Sequence, residues 1–304
     1  MFCSVCNHHL NHHVTLAEKN ADQEAIDDLK KQVQSEANPK MKTLLKSRLD
    51  ILKKEVEVAK EFEKQLAKST KKLQEAVTRL MKQGRGAILL NMSPLELKNF
   101  LISVGLGAAV AYFEQSQLDI VQLTNEAMKA VDPNFISGDI NIISSTIQRT
   151  VASVFDDSVI PDLTKAIKNT VNSALVIGST KAPLDALASE FLKSVGRNTT
   201  QARLKIAEFG RSTQAVNAES AGLDLFLYVG PKDGITRPFC RKLVGKVLSK
   251  SQINRLNNGQ GAGPVLTTGG GYNCRHSWTP ISKGFVQVMD LKQTNDDEIK
   301  DLTQ

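Results

Sequence analysis

MKTLLKSRLDILKKEVEVAKEFEKQLAKSTKKLQEAVTRLMKQ, residues 41–83, reads as one unbroken helix. Leu45, Leu49, Leu52, Val56, Ala59, Glu63, Leu66, Thr70, Leu73, Val77 and Leu80 step alternately by four and three, forming a heptad seam that only Glu63 and Thr70 interrupt with polar groups. Lys, Glu, Gln and Arg fill the positions between, all good helix formers suited to a solvated outer face. No Gly or Pro intervenes until Gly84-Arg85-Gly86. At 1.5 Å per residue the segment is a rod on the order of 60 Å long, and it cannot bury its seam alone. Residues 16–36, with Ile26, Leu29 and Val33 on one face, supply a second polar helix, separated from the first by Asn38-Pro39. A helical hairpin or pairing with another chain satisfies the seam equally well, and either gives an extended coiled-coil-like arm over 16–86.

Downstream, the texture changes twice. From 87 to 200 the chain is more apolar and still helical. Ser93-Pro94-Leu95-Glu96 carries a Ser cap, Pro at the first helical position and Glu three residues on, and the helix it opens is expected to run through Tyr112-Phe113. Further starts are read at Ser116, Ser137-Gly138-Asp139 and Ser179-Thr180-Lys181-Ala182-Pro183, with breaks at Asp132-Pro133 and Ile160-Pro161-Asp162. Ile140, Ile142, Ile143, Ile147, Val151 and Val154 are assigned to one apolar face. After about 221, Leu223–Val229 is a strand candidate ending at Gly230-Pro231, a turn follows at Asp233-Gly234, glycine dominates 259–271, and Trp278 with Phe285–Val288 suggests a closing strand. The expected fold is mainly α with a small C-terminal α+β module over 201–289. A Cys/His-rich cluster at 1–15 and an acidic tail at 290–304 flank these parts.

The 304 residues carry 39 Lys+Arg against 32 Asp+Glu. Residues 1–85 are net +5, 86–200 net −3, and 201–304 net +5; within the last segment, 201–289 holds 12 basic and 4 acidic residues. A basic module suits a polyanion such as DNA, or an acidic protein surface. Arg237, Arg241, Lys242, Lys246, Lys250, Arg255 and Arg275 are its candidate nucleic-acid or portal contacts. The longest apolar run, Leu101–Phe113, falls short of the ~20 residues of a membrane span and is diluted by Gly and Ala, so no span is expected. The N-terminus has no secretory signal pattern, and a cytoplasmic origin is expected.

Histidine is confined to two places. Four of the five lie in Cys3-Ser4-Val5-Cys6-Asn7-His8-His9-Leu10-Asn11-His12-His13, the fifth is His276. Cys3 and Cys6 with His9 and His13, or with His8 and His12, make up a Cys2His2 zinc set, because residues four apart share a helix face. Cys240, Cys274 and His276 form a second set, for which Asp233 or a residue from elsewhere would complete the shell. Zn2+ is the expected ion at both. Walker A, dinucleotide-binding, Gly-x-Ser-x-Gly and His-Glu-x-x-His patterns are all absent, which argues against an enzyme.

Two segments carry a family resemblance. The first is Asp233-Gly234-Ile235-Thr236-Arg237-Pro238-Phe239-Cys240 with Leu243 and Gly245. The second is Asn273-Cys274-Arg275-His276 followed by Trp278 and Pro280. In this order, behind a strand, they resemble the phage Mu F-like head morphogenesis family over about 200–282. Where that family carries an Arg-Thr-Glu helix, this chain reads Ile206-Ala207-Glu208-Phe209-Gly210-Arg211-Ser212-Thr213. The resemblance implies a non-enzymatic minor capsid protein of a tailed bacteriophage. Such a protein is made in the host cytoplasm, assembled into the procapsid with the portal and other capsid proteins, and carried inside the head of the virion beside packaged DNA. A zinc-dependent nucleic-acid-binding protein is the alternative, and a toxin or effector enzyme carrying this module a more distant one.

Overall fold

The computed structural model describes residues 10–260 and 263–303. Two long helices lead, α1 (Leu10–Ser35) and α2 (Pro39–Lys82), followed by α3 (Ala87–Asn91), α4 (Pro94–Leu101), α5 (Gly107–Val131), α6 (Ile140–Val154), α7 (Ile160–Ile177) and α8 (Lys181–Ser220). The C-terminal part runs β1 (Leu225–Val229), α9 (Pro238–Leu243), β2 (Val247–Ser249), α10 (Lys250–Ile253), α11 (Val265–Thr268), β3 (Ser277–Ile281), α12 (Lys283–Val288) and α13 (Asp296–Thr303). The fold is mainly α with a small C-terminal α+β module, as the sequence leads one to expect.

The chain divides into two compact units that cut across the bounds drawn from sequence. One unit joins Leu16–Glu57, Gln117–Ile147 and Ile206–Gln304, so it holds α1, the first part of α2 and the whole sheet. β1 is the central strand, antiparallel to β2 (Phe226 opposite Leu248) and to β3 (Tyr228 opposite Trp278). Its five residues are all buried, and period-two alternation sorts them onto two cores. Phe226 and Tyr228 face Leu243, Leu248, Ile253, Cys240, Cys274 and Trp278. Leu225, Leu227 and Val229 face Leu44 and Leu45 of α2 and Phe285 of α12. Ala25, Ile26 and Leu29 of α1 pack on Leu49, Leu52 and Val56 of α2. The hairpin is thus built into the module's own core. The segment read as an acidic tail also folds back: Thr294 N–H donates to Val247 O (2.9 Å), and Ile299 of α13 joins the core on the Phe226 side.

Within this unit α2 holds a buried ion pair. The Arg48 guanidinium meets Glu55 two turns on, at 3.3 and 3.1 Å, and also donates to the Arg275 carbonyl at 2.8 Å. Arg275 in turn reaches Asp233 at 2.6 Å and the Ala21 carbonyl of α1 at 2.7 Å. Asp28 accepts from Lys232 N–H at 2.7 Å. Helix and loop are therefore stitched by charge-assisted bonds in a partly dry setting, where each is stronger than at the surface.

The other unit combines Val58–Ser116 with Gln148–Lys205. Phe62, Phe113 and Phe155 form its aromatic centre, with ring centroids 5.4–5.9 Å apart and tilted or edge-on, the favoured arrangements. Two wide-turn π segments, Ile102–Leu106 and Phe155–Val159, each join a pair of α-helices without a break.

Several local expectations need correction. Ser116 does not start a helix: it lies inside α5 and returns its hydroxyl to Tyr112 O at 2.8 Å. Ile160-Pro161 is not a break, because Pro161 occupies the first turn of α7 directly after a π segment. Ile140 and Ile142 are exposed, while Ile143, Ile147 and Val154 are buried. Phe285–Val288 is the helix α12, capped by Ser282, and not a strand. The helix opened by Ser93 does not end at Phe113; it continues to Val131. That 38-residue helix is long and apolar enough to cross a membrane by length and composition, with 22% of its most apolar window buried.

Candidate metal centre

Three donors meet on the Tyr228 side of the sheet, and local sequence explains each approach. Arg237-Pro238 turns the chain from extended to helical, with Pro at the first helical position. One turn of α9 then points Cys240 and Leu243 inward. Gly245, at φ +85°, reverses the chain so that its N–H meets Tyr228 O at 2.9 Å and β2 can begin. From the other side, the turn Gly269-Gly270-Gly271 delivers Cys274, and the extended backbone entering β3 places His276 two residues on, on the same side. The outcome is a buried cluster with Cys240 Sγ to Cys274 Sγ at 3.8 Å and Cys274 Sγ to His276 Nδ1 at 3.8 Å. All three ligand atoms lie within 4.8 Å of one another.

These separations suit a metal ion. Tetrahedral zinc–sulfur bonds of about 2.3 Å place two thiolates about 3.8 Å apart. The histidine is oriented for the task. Its Nε2 lies 2.8 Å from the Pro231 carbonyl, which can only accept, so Nε2 carries the proton and Nδ1 turns toward the sulfurs. The ring is fixed further by stacking on Tyr228, with centroids 5.3 Å apart and planes within 9°. Tyr228 OH sits 3.4 Å from Cys240 and 3.6 Å from Cys274, and burial pushes its pKa well above the ordinary phenol range.

The two cysteines are not equivalent. The hydrogen bond from Cys240 holds Cys274 well below the usual thiol range, and the positive charge of Arg211 acts in the same direction. The same bond, together with burial, raises Cys240. Gly270 N–H also donates to Cys274 Sγ at 3.0 Å.

Arg211 is the member that sequence reasoning passed over. It projects from α8, is 2% exposed, and donates to the carbonyls of Thr267, Cys274 (3.2 Å) and His276 (3.4 Å). Its signal was faint: an arginine between Gly210 and Ser212 on a helix whose motif departs from the expected one. Tyr228 was visible only as the end of a strand candidate.

Other expected site residues fall elsewhere. Asp233 does not join the cluster; its carboxylate is taken by Arg275 and by the Thr236 hydroxyl at 2.8 Å. Cys3, Cys6, His8 and His9 lie outside the described residues. His12 and His13 fall in α1, but their side chains also lie outside what is described. Of the seven cations assigned to nucleic acid or portal, five are engaged within the unit. Arg237 holds the carbonyls of Gly270 (2.8 Å) and Tyr272, and Arg241 that of Thr236 (3.3 Å). Lys250 pairs with Glu219, Arg255 with Asp296, and Arg275 with Asp233. Lys242 is exposed and Lys246 half-buried. Comparison with family models, curated proteins and solved structures finds no match.

Proposed function

We propose that this chain is a non-enzymatic minor head protein of a tailed bacteriophage, acting in head assembly with the portal, and that Cys240, Cys274 and His276 hold a structural zinc ion. The observation that carries the reading is the convergence of the two motif segments. Both flank one sheet, and nearly every residue of the pattern has a part in joining them. Asp233 takes Arg275, Thr236 bonds Asp233, Arg237 holds the 270–272 turn, Gly245 reverses the chain, and the two Cys meet. A spacing that looks arbitrary in sequence becomes a set of mutual contacts, and this favours the Mu F-like resemblance over chance. Cys274 is 7% and His276 2% exposed. Such burial suits a clamp between two loops better than a nucleophile that must admit substrate.

The zinc reading rests on donor chemistry: two sulfurs 3.8 Å apart and an imidazole whose free nitrogen faces them. Zinc there would fix the 238–243 and 269–276 segments to each other. Elemental analysis of the desalted protein should give one zinc from this cluster, lost in Cys274→Ser, and a second if the N-terminal Cys/His motif also binds. Metal-free protein with two freely titratable buried thiols would remove the metal and leave the head-protein reading standing. That reading is tested separately by quantitative mass spectrometry of purified proheads and virions from a producing host. Recovery at low, fixed copy number beside the portal is the expected result; repeated absence from both particles would end it.

A further inference from the structure

A dense block of positive charge sits at the C-terminal end of the second helix and just past it. Residues 68–85 carry Lys68, Lys71, Lys72, Arg79, Lys82 and Arg85 against the single carboxylate of Glu75, a net +5 where the whole chain is +7. All six cations are exposed. Among the described residues, none of the six has a carboxylate partner. Their opposites on the helix, Leu73, Val77 and Met81, are buried, so the basic side is presented outward on a rigid element. From Lys68 to Lys82 this side extends about 21 Å. The cations of the C-terminal module, by contrast, are largely spent on internal carbonyls and carboxylates.

We infer that this outer face of α2 is a docking surface for the phosphate backbone of double-stranded DNA. Lone like charges along a helix repel one another, and a polyanion relieves that repulsion while releasing its own counterions. The occupant can be narrowed by what the face lacks. It has no exposed aromatic ring on which an unpaired base could stack. No large apolar side chain is exposed between the cations to enter a lipid headgroup layer. A straight row of flexible cations matches a duplex, whose phosphates run continuously past it, and reads no sequence. The inference does not rest on the head-protein reading or on the metal.

The test is fluorescence anisotropy of the full chain with a labelled 24-base-pair duplex of random sequence, at NaCl concentrations between 50 and 200 mM. With five or six phosphates neutralised, affinity is expected to fall roughly 500–2,000-fold over that range. The variant Lys68→Glu/Lys72→Glu/Arg79→Glu, with all changes exposed and checked for helix content by circular dichroism, should bind at least about 100-fold more weakly and with a shallower salt slope. Lys242→Glu/Lys246→Glu should bind as the parent does. The inference is overturned if the triple variant keeps its affinity, if the module variant is the one that loses it, or if a double-stranded RNA or polyglutamate of equal charge binds as tightly as the DNA.

Discussion

Replacement of Arg211 by alanine is expected to destabilise the sheet-bearing unit by about 3–5 kcal/mol, the scale for losing one member of a buried charged network. The guanidinium collects three carbonyls from two chain segments, at Thr267 and at Cys274 and His276. Truncation removes the guanidinium from all three, and a buried carbonyl left unpaired costs about 1–3 kcal/mol before any relaxation. It also removes a positive charge that helps to lower the Cys274 pKa. The variant should therefore show a lower urea midpoint and a higher apparent pKa for Cys274, read by thiolate absorbance in the metal-free protein. Lysine cannot restore the fork, because its ammonium is a point donor on a flexible stem. Stability within 1 kcal/mol of the parent would show that these carbonyls are served by something else.

Gly230→Ala is the second large effect. A Cβ at that position would lie 2.6 Å from His276 Cγ and 2.9 Å from His276 Cα. The obstruction includes backbone, so a side-chain rotation cannot relieve it. Either β1 and β3 separate at their ends or the imidazole leaves its place. Overpacking of this kind costs about 2–3 kcal/mol, and displacement of an oriented ligand should weaken metal affinity roughly 10–100-fold. Gly270→Ala meets Cys240 Sγ and, at 3.3 Å, Cys274 Sγ, and should act in the same direction. The control is Gly196→Ala on α8, where an added Cβ finds nothing within 4 Å. That change should stabilise by about 0.5–1 kcal/mol through helix propensity. Thermal melts and zinc titrations of the three variants check the set; Gly230→Ala matching the parent in both would refute the close-approach argument.

How much of this was legible in the sequence depends on whether the signal is local. The heptad seam of α2 was, because 3.6-residue periodicity is written in apolar residues, and Leu45, Leu49, Leu52, Val56, Leu66, Leu73 and Val77 are all buried. A neighbouring buried stripe of Leu44, Arg48, Ile51, Glu55, Val58, Phe62 and Ser69 was not. Three of its members are polar, and their burial is tolerable because each finds a partner, on α2 itself or across the fold. Arg48 and Glu55 neutralise each other, and Ser69 donates to Gly105 O at 2.9 Å. Phe285–Val288 was read as a strand from its β-branched and aromatic content, yet the Ser282 cap and packing beneath the sheet turn it into a helix. At the candidate metal centre, Cys240, Cys274 and His276 announced themselves by residue type. Arg211, Gly230 and the ring of Tyr228 matter only through what the fold lays against them.

The joining of the first helices to the last strands has a consequence for biosynthesis. Arg275 grips the carbonyl of Ala21 across 254 residues, and Gln32 reaches the Gly230 carbonyl across 198. While the chain emerges from the ribosome, the Leu44–Leu45 face of the hairpin formed by α1 and α2 must wait for almost the entire remaining polypeptide before the sheet covers it. Closure of such long loops is slow, and the waiting surface is what chaperones recognise. A fragment cut at residue 200 to isolate the C-terminal module would leave Leu225, Leu227 and Val229 without the floor that Leu44 and Leu45 provide.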